Sequence, residues 1–219
     1  MNNYIDHTLL LANATTNQIN TLCDEAHEHK FFSVCINPGF VEYCAERLKT
    51  SNVKICTVIG FPLGANTTAV KVFETQNAIL LGADEIDMVV NISDVLDAKW
   101  DMIELEIAAI KEACGVKLLK VIFETCLLTN EQIVELCRIS KRAGVNFVKT
   151  STGFSIGGAT VEHIKLMRDN VGSEMGVKAS GGVRTKEIAQ SMIDAGASRI
   201  GASASVSIVS GEVPTTNGY

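Results

Sequence analysis

Two lysines are the residues of this sequence best suited to covalent chemistry. Lys149 ends the apolar run Val-Asn-Phe-Val and opens the stretch KTSTGFSIGG, and Lys178 opens KASGGVRT one strand-and-helix repeat later. An amine attacks only when unprotonated, and a lysine near its ordinary pKa of about 10.4 is almost wholly charged at neutral pH. Neighbouring strands lie about 4.8 Å apart, so two ammonium groups at equivalent strand ends would approach to roughly 5 Å. At an effective dielectric of ~20 they repel by about 3 kcal/mol. That depresses one pKa by roughly 2 units, and partial burial acts in the same direction. Lys149 is thereby brought towards the ~7–8 range in which a lysine forms Schiff bases.

Asp6, Asp87 and Lys120 also fall within strand-like runs. Side chains alternate along EIDMVVN (85–91), so Asp87 and Val89 share one face and Ile86, Met88 and Val90 the other. The more apolar face meets covering helices, which turns Asp87 inward. The same parity groups Lys120 with Leu118 and Ile122, Lys149 with Phe147, and Lys178 with Gly176. Simple pairing across a core is the plainer reading of such charges, since an unpaired buried charge is costly. Three lysines against two aspartates, however, leave one cation that can be neutral without stranding a carboxylate.

Gly-containing turns follow the last three strand-like runs: STGFSIGG (151–158), SGGVRT (180–185) and GASAS (201–205). Glycine lets backbone N–H groups approach an anion, and the helix starts that follow add a favourable dipole. Gly153, Gly181, Gly182 and Gly201, with Arg184 and Ser203, are the candidate phosphate ligands. Singly, each turn reads as ordinary; at successive strand ends beside the two lysines they read as one site.

The elements that must position these groups alternate along the whole chain. Strands are expected at 4–8, 32–37, 53–61, 85–91, 116–125, 145–150, 175–180 and 198–203, each rich in Val, Ile or Phe and bounded by turn residues. Helical periodicity fills 17–29, 38–49, 69–82, 93–113, 130–143, 160–171, 185–195 and a short segment after Ser203. Glycines 82, 144 and 196 sit where the last helical turn closes in the left-handed conformation. Eight such repeats predict a single compact (β/α)₈ barrel domain over 1–219, with 210–219 a flexible C-terminal tail; a doubly wound open sheet is the alternative. Tyr219, the lone aromatic of that tail, could fold over the barrel mouth and bring a hydroxyl to the substrate.

Composition narrows the function. The chain has 219 residues, 47% apolar and 20% charged, and a formal net charge of −6. The negative balance argues against nucleic-acid and anionic-membrane partners. Seven cysteines without a C-x-x-C pair, several inside apolar runs, suit a reducing cytoplasm. The start MNNYIDHTLL lacks the pattern of a signal peptide, and no apolar run approaches the ~18 residues of a membrane span. The histidines give metal chemistry little support. His27 and His29 point to different faces of one helix and out to solvent, His7 faces away from Asp6, and His163 lies on an outer helix.

IDHTLL, GADEIDMVVN, FVKTSTGF and VKASGGVRT together resemble the deoxyribose-phosphate aldolases, with matches from residue 5 to about 205. The resemblance implies a class I, metal-independent aldolase of deoxyribonucleoside catabolism, without a cofactor. Such an enzyme cleaves 2-deoxy-D-ribose 5-phosphate to D-glyceraldehyde 3-phosphate and acetaldehyde. It implies a Schiff base on Lys149, with Lys178 and Asp87 exchanging protons, and a small sugar phosphate and acetaldehyde, not a macromolecule, as partners. Barrels of this size commonly pair, so a homodimer is the expected assembly, though the sequence itself does not reveal it. GASAS departs from the expected Gly-x-Ser-Ser form, which favours Ser203 over Ala204 or Ser205 as a ligand. Two rivals keep the phosphate turns: an isomerase or transaldolase-like barrel enzyme, which does not require the second lysine, and a non-catalytic sugar-phosphate sensor, which has no use for a reactive amine.

Overall fold

A computed structural model describes residues 1–211. Its eight strands are β1 (Ile5–Leu9), β2 (Ser33–Ile36), β3 (Lys54–Ile59), β4 (Glu85–Val89), β5 (Leu118–Ile122), β6 (Phe147–Lys149), β7 (Gly176–Ser180) and β8 (Arg199–Ala202). They close into a parallel barrel in chain order, with β8 pairing back onto β1. The doubly wound alternative is thereby excluded. Around it run α1 (Thr16–Glu28), α2 (Val41–Arg47), α3 (Thr68–Leu80), α4 (Ile92–Leu96), α5 (Trp100–Cys114), α6 (Asn130–Arg142), α7 (Val161–Val171), α8 (Lys186–Asp194) and α9 (Ser205–Ser210). Among these helices none is long and apolar enough to cross a membrane. Tyr219 lies outside the described residues, as does all of the expected tail after Gly211.

Local chemistry sets most boundaries. Thr15 and Thr129 each begin a helix with a reciprocal capping box to a glutamine three residues on, which satisfies donors that the first helical turn leaves unpaired. Two helical expectations need correction. The segment 93–113 is two helices, broken at Asp97–Lys99, where Ala98 takes a positive φ of 54°. The segment 38–49 begins with a 3-10 turn at Pro38–Phe40 before α2.

The main core lies between the outward strand faces and the helices: Ile86 and Met88 of β4, Leu119 and Val121 of β5 and Val148 of β6 are fully buried there. A second, smaller cluster of Leu10, Cys35, Cys56 and Val58, joined by Phe61, fills part of the barrel interior. Much of the rest of the interior is taken up by charged side chains.

Candidate active site

Register brings the predicted residues together. Asp87 pairs across to Lys120 on β5, and Lys149 pairs to Lys178 on β7, so inward parity carries all four side chains into the barrel. Lys149 Nζ donates to Asp87 Oδ2 at 2.8 Å, and Lys178 Nζ donates to the same oxygen at 2.8 Å. Lys120 Nζ donates to Asp87 Oδ1 at 2.8 Å, and the Cys56 thiol reaches that oxygen at 3.2 Å. Lys178 and Lys120 each form a second ion pair at 2.5 Å, with Asp6 and Glu85 respectively.

Arg199 completes the network from below, donating to Asp6 Oδ1 at 2.8 Å and Glu85 Oε2 at 3.1 Å. Its guanidinium lies 3.5 Å from the Phe32 ring centroid and 5.1 Å from that of Phe147, a placement the ring quadrupoles favour. Two glycines make room by having no side chain. A Cβ on Gly176 would fall 2.1 Å from the Phe147 ring, and one on Gly201 would fall 2.9 Å from Lys178 Cε.

The sequence count of three cations against two anions therefore needs correction. Touching charges number four cations (Lys120, Lys149, Lys178, Arg199) and three carboxylates (Asp6, Glu85, Asp87). The surplus of one survives, so a neutral Lys149 leaves the remaining network balanced. Glu85 shares strand parity with Asp87, and Arg199 with Gly201. Parity could have found both, but they stand at strand starts, far from the turns that drew attention.

Burial and attraction compete at each of these groups. Burial drives the Asp87 carboxyl upward, yet Lys120, Lys149 and Lys178 outweigh it and hold the acid well below the usual carboxylate range. At Asp6, burial is likewise overcome, by Lys178 and Arg199. Burial pulls the Lys178 ammonium down, and Asp6 and Asp87 more than offset this, leaving it raised. Asp87 is thus an anion and Lys178 a cation at neutral pH.

A cleft opens above this network at the C-terminal end of the strands. Lys149 borders it, and so do Gly153, Gly181, Gly182, Arg184, Gly201 and Ser203. The turns 151–158 and 180–185 touch: Ala159 N–H donates to the carbonyls of Ser180 and Gly181 at 3.1 and 3.0 Å. Gly181 has φ 80°, and a Cβ on Gly158 would sit 2.2 Å from its carbonyl oxygen, so this approach requires glycine at both positions. Asp87, Lys178, Asp6 and Lys120 lie beneath the cleft and do not border it. Thr152, overlooked in the sequence, does.

His7 points outward to Glu25, at 2.7 Å. His163 is on α7 and His27 is exposed, as expected; His29 is half-buried and stacks on Phe31, contrary to the solvent-facing expectation. Cys56 and Asp87 with Cys35, or Cys56 with Asp6 and Glu85, lie close enough to share a cation. Lys120, Lys178 and Arg199 already pair with those carboxylates and would repel one. A larger cavity of about 620 Å³ lies at the opposite end, lined by Phe31, Phe32 and Lys54 among others, and none of the inner charges border it.

Residues 1–213 match the family model of the DeoC/LacD family aldolases. The chain belongs to that family. The aldolase is 89% identical to deoxyribose-phosphate aldolase 1 of Vibrio vulnificus (strain YJ016), covering the whole of both chains. It is 62% identical to the deoxyribose-phosphate aldolase of an Exiguobacterium species, over 95% of each. Among solved structures, a putative deoxyribose-phosphate aldolase from Coccidioides immitis superposes with a TM-score of 0.93 at 42% identity, over 95% of this chain and 84% of that one. The deoxyribose phosphate aldolase from Aeropyrum pernix, described as a tetramer, gives 0.89 at 33% identity, over 95% and 89%.

Proposed function

We propose that this aldolase reversibly cleaves 2-deoxy-D-ribose 5-phosphate to D-glyceraldehyde 3-phosphate and acetaldehyde through a Schiff base on Lys149. The observation that carries the reading is one carboxylate oxygen, Asp87 Oδ2, shared at 2.8 Å by two lysines, of which only Lys149 borders the cleft.

The neutral Lys149 amine adds to the C1 aldehyde of the open-chain sugar, and loss of water leaves an iminium. The C3 hydroxyl then gives up its proton towards Asp87, through a water and with Lys178 as the second proton carrier. The C2–C3 bonding pair flows into the iminium, releasing glyceraldehyde 3-phosphate and leaving an enamine. Protonation at C2 and hydrolysis return acetaldehyde and the free amine. Until the C3 hydroxyl proton arrives, charged Lys178 holds Asp87 anionic and in place, without reorganisation. The turns at 151–158, 180–185 and 201–205, with Arg184, hold the phosphate at the far end, so that remote binding energy orients the reacting carbon.

Enzymatic coupling of glyceraldehyde 3-phosphate release to a dehydrogenase, with and without a chelator, tests the reading. Chelator-insensitive cleavage of deoxyribose 5-phosphate supports it. Inactivity on that substrate, or loss of activity with the chelator, contradicts it. The seven free cysteines support a cytoplasmic setting.

A homodimer has its own support. Val70, Phe73 and Leu80 form one stripe on α3, the last two 68% and 83% exposed, beside exposed Met102 and Leu105 of neighbouring α5. Exposed apolar side chains gathered on two packed helices suit burial against a second copy of the chain. Sedimentation of Phe73→Asp checks it: a monomer is expected where the wild type is dimeric, and an unchanged mass opposes this face.

A further inference from the structure

The turn 151–158 has no helix or strand of its own, yet it stands directly beyond the nucleophile. Glu124, which the reaction above does not use, grips it. Glu124 follows β5, is 2% exposed and has φ 57° and ψ 59°. Among the described residues Lys30 and Ala98 share this left-handed conformation without being glycine, and both are exposed. A side chain in that region is strained, and such strain persists where surrounding contacts enforce it.

Those contacts lead to the turn. Thr152 N–H donates to both Glu124 carboxylate oxygens, at 3.2 and 3.4 Å, and the Thr152 hydroxyl donates to Oε2. The same hydroxyl oxygen accepts from Phe154 N–H at 3.0 Å, which passes the constraint across Gly153. On either side, Phe123 N–H binds the Lys149 carbonyl and Thr125 N–H the Thr150 carbonyl, both at 3.0 Å. Cys126 packs so closely that a Cβ on Gly157 would lie 2.8 Å from its own. Residues 123–126 therefore fix both the strand end that carries Lys149 and the turn beyond it. Burial pushes the Glu124 carboxyl up, against the pull of Thr152 and, more weakly, Lys149. Glu124 itself does not border the cleft.

We propose that Glu124 is a positioning residue that latches the 151–158 turn through Thr152 and so sets the distance between the phosphate-receiving backbone at Gly153 and the Lys149 amine. The inference rests on the reading that this turn receives the substrate phosphate.

The test compares Glu124→Gln, Glu124→Gly and Thr152→Ala on deoxyribose 5-phosphate and on unphosphorylated 2-deoxyribose. Glycine suits the left-handed backbone and deletes the latch; glutamine keeps one acceptor oxygen. Losing a charge-assisted hydrogen-bond pair predicts that Glu124→Gly raises KM for the phosphorylated substrate by about tenfold or more. Its kcat on the phosphorylated substrate should fall as well, since the held phosphate orients the reacting carbon, whereas kcat/KM for 2-deoxyribose should stay within about threefold of wild type. Glu124→Gln should fall between, and Thr152→Ala should reproduce the split. If Glu124→Gly does not fold, the other two variants decide. Equal losses on both substrates, or no change on either, would overturn the proposal. A wild type that handles both substrates alike would overturn the phosphate reading with it, whereas a clear wild-type preference that the variants leave intact would remove only the role of Glu124.

Discussion

Within the barrel, the lower and upper parts of the charge network treat their cations differently. Below, Arg199 is met by Asp6 and Glu85, Lys178 by Asp6 and Asp87, and Lys120 by Asp87 and Glu85, with Asp6 at 3.9 Å. Above, Lys149 has one carboxylate oxygen, already engaged by Lys178. Lys71 supplies an external reference. It is fully buried between α3 and α5, donating to Glu106 at 2.8 Å and the Val89 carbonyl at 2.9 Å. There burial prevails over Glu106, and the ammonium is pulled below its ordinary range, whereas Lys120 and Lys178, among several carboxylates, are raised. Burial alone does not set the direction in which these three lysines are moved; the carboxylates gathered around each do. The lower network is a densely paired electrostatic frame, and the upper lysine is the member proposed as nucleophile.

The largest break in that contrast is Lys149→Ala, expected to cut cleavage by about 10⁴-fold or more in steady-state assays, since among the described residues no other lysine borders the cleft. Activity within tenfold of wild type would reassign the nucleophile. Lys178→Leu should lower kcat by about 10²–10³-fold, the range of a proton carrier. It should also move the pH optimum upward, because Asp87 Oδ2 would then serve Lys149 alone. An unmoved optimum would mean that Lys178 does not tune its neighbour.

Arg199→Met addresses the frame. It takes one cation from each of Asp6 and Glu85, leaving them Lys178 and Lys120, and breaking a buried network by removing one partner costs about 3–5 kcal/mol, measurable as a lower urea midpoint. Turnover per folded molecule should fall far less than in Lys178→Leu.

The pH dependence of stability has a definite sign. Asp6 and Asp87 are depressed on folding, so their contribution is present above the unfolded carboxylate pKa of about 3.9 and is lost as pH falls below it. Lys120 and Lys178 are raised, so theirs is complete below about 10.4 and is lost only as pH rises beyond. Denaturation midpoints should be flat from about pH 5 to 9 and drop on the acid side, with the drop smaller in Asp6→Asn.

Much of this was legible in the sequence because strand periodicity is strict. Once 85–91 and 145–150 are strands, parity alone turns Asp87 and Lys149 inward, and the apolar faces of Ile86, Met88 and Val148 fix the register. Arg199 and Glu85 obey the same parity, but their value depends on which side chains meet across the barrel, which no local pattern reveals. Glu124 was less legible still: its left-handed backbone and its grip on Thr152 join a segment after β5 to a turn after β6. The break at Ala98 escaped for a related reason, since apolar spacing continues through it while the backbone does not.

The central claim is that the amine at the top of the network is the nucleophile. Borohydride reduction of the enzyme with acetaldehyde, followed by peptide mass mapping, reads it directly. A single ethyl group on the peptide carrying Lys149, absent in Lys149→Ala and retained in Lys178→Leu, is the predicted result. No adduct, or an adduct on Lys178, would contradict it.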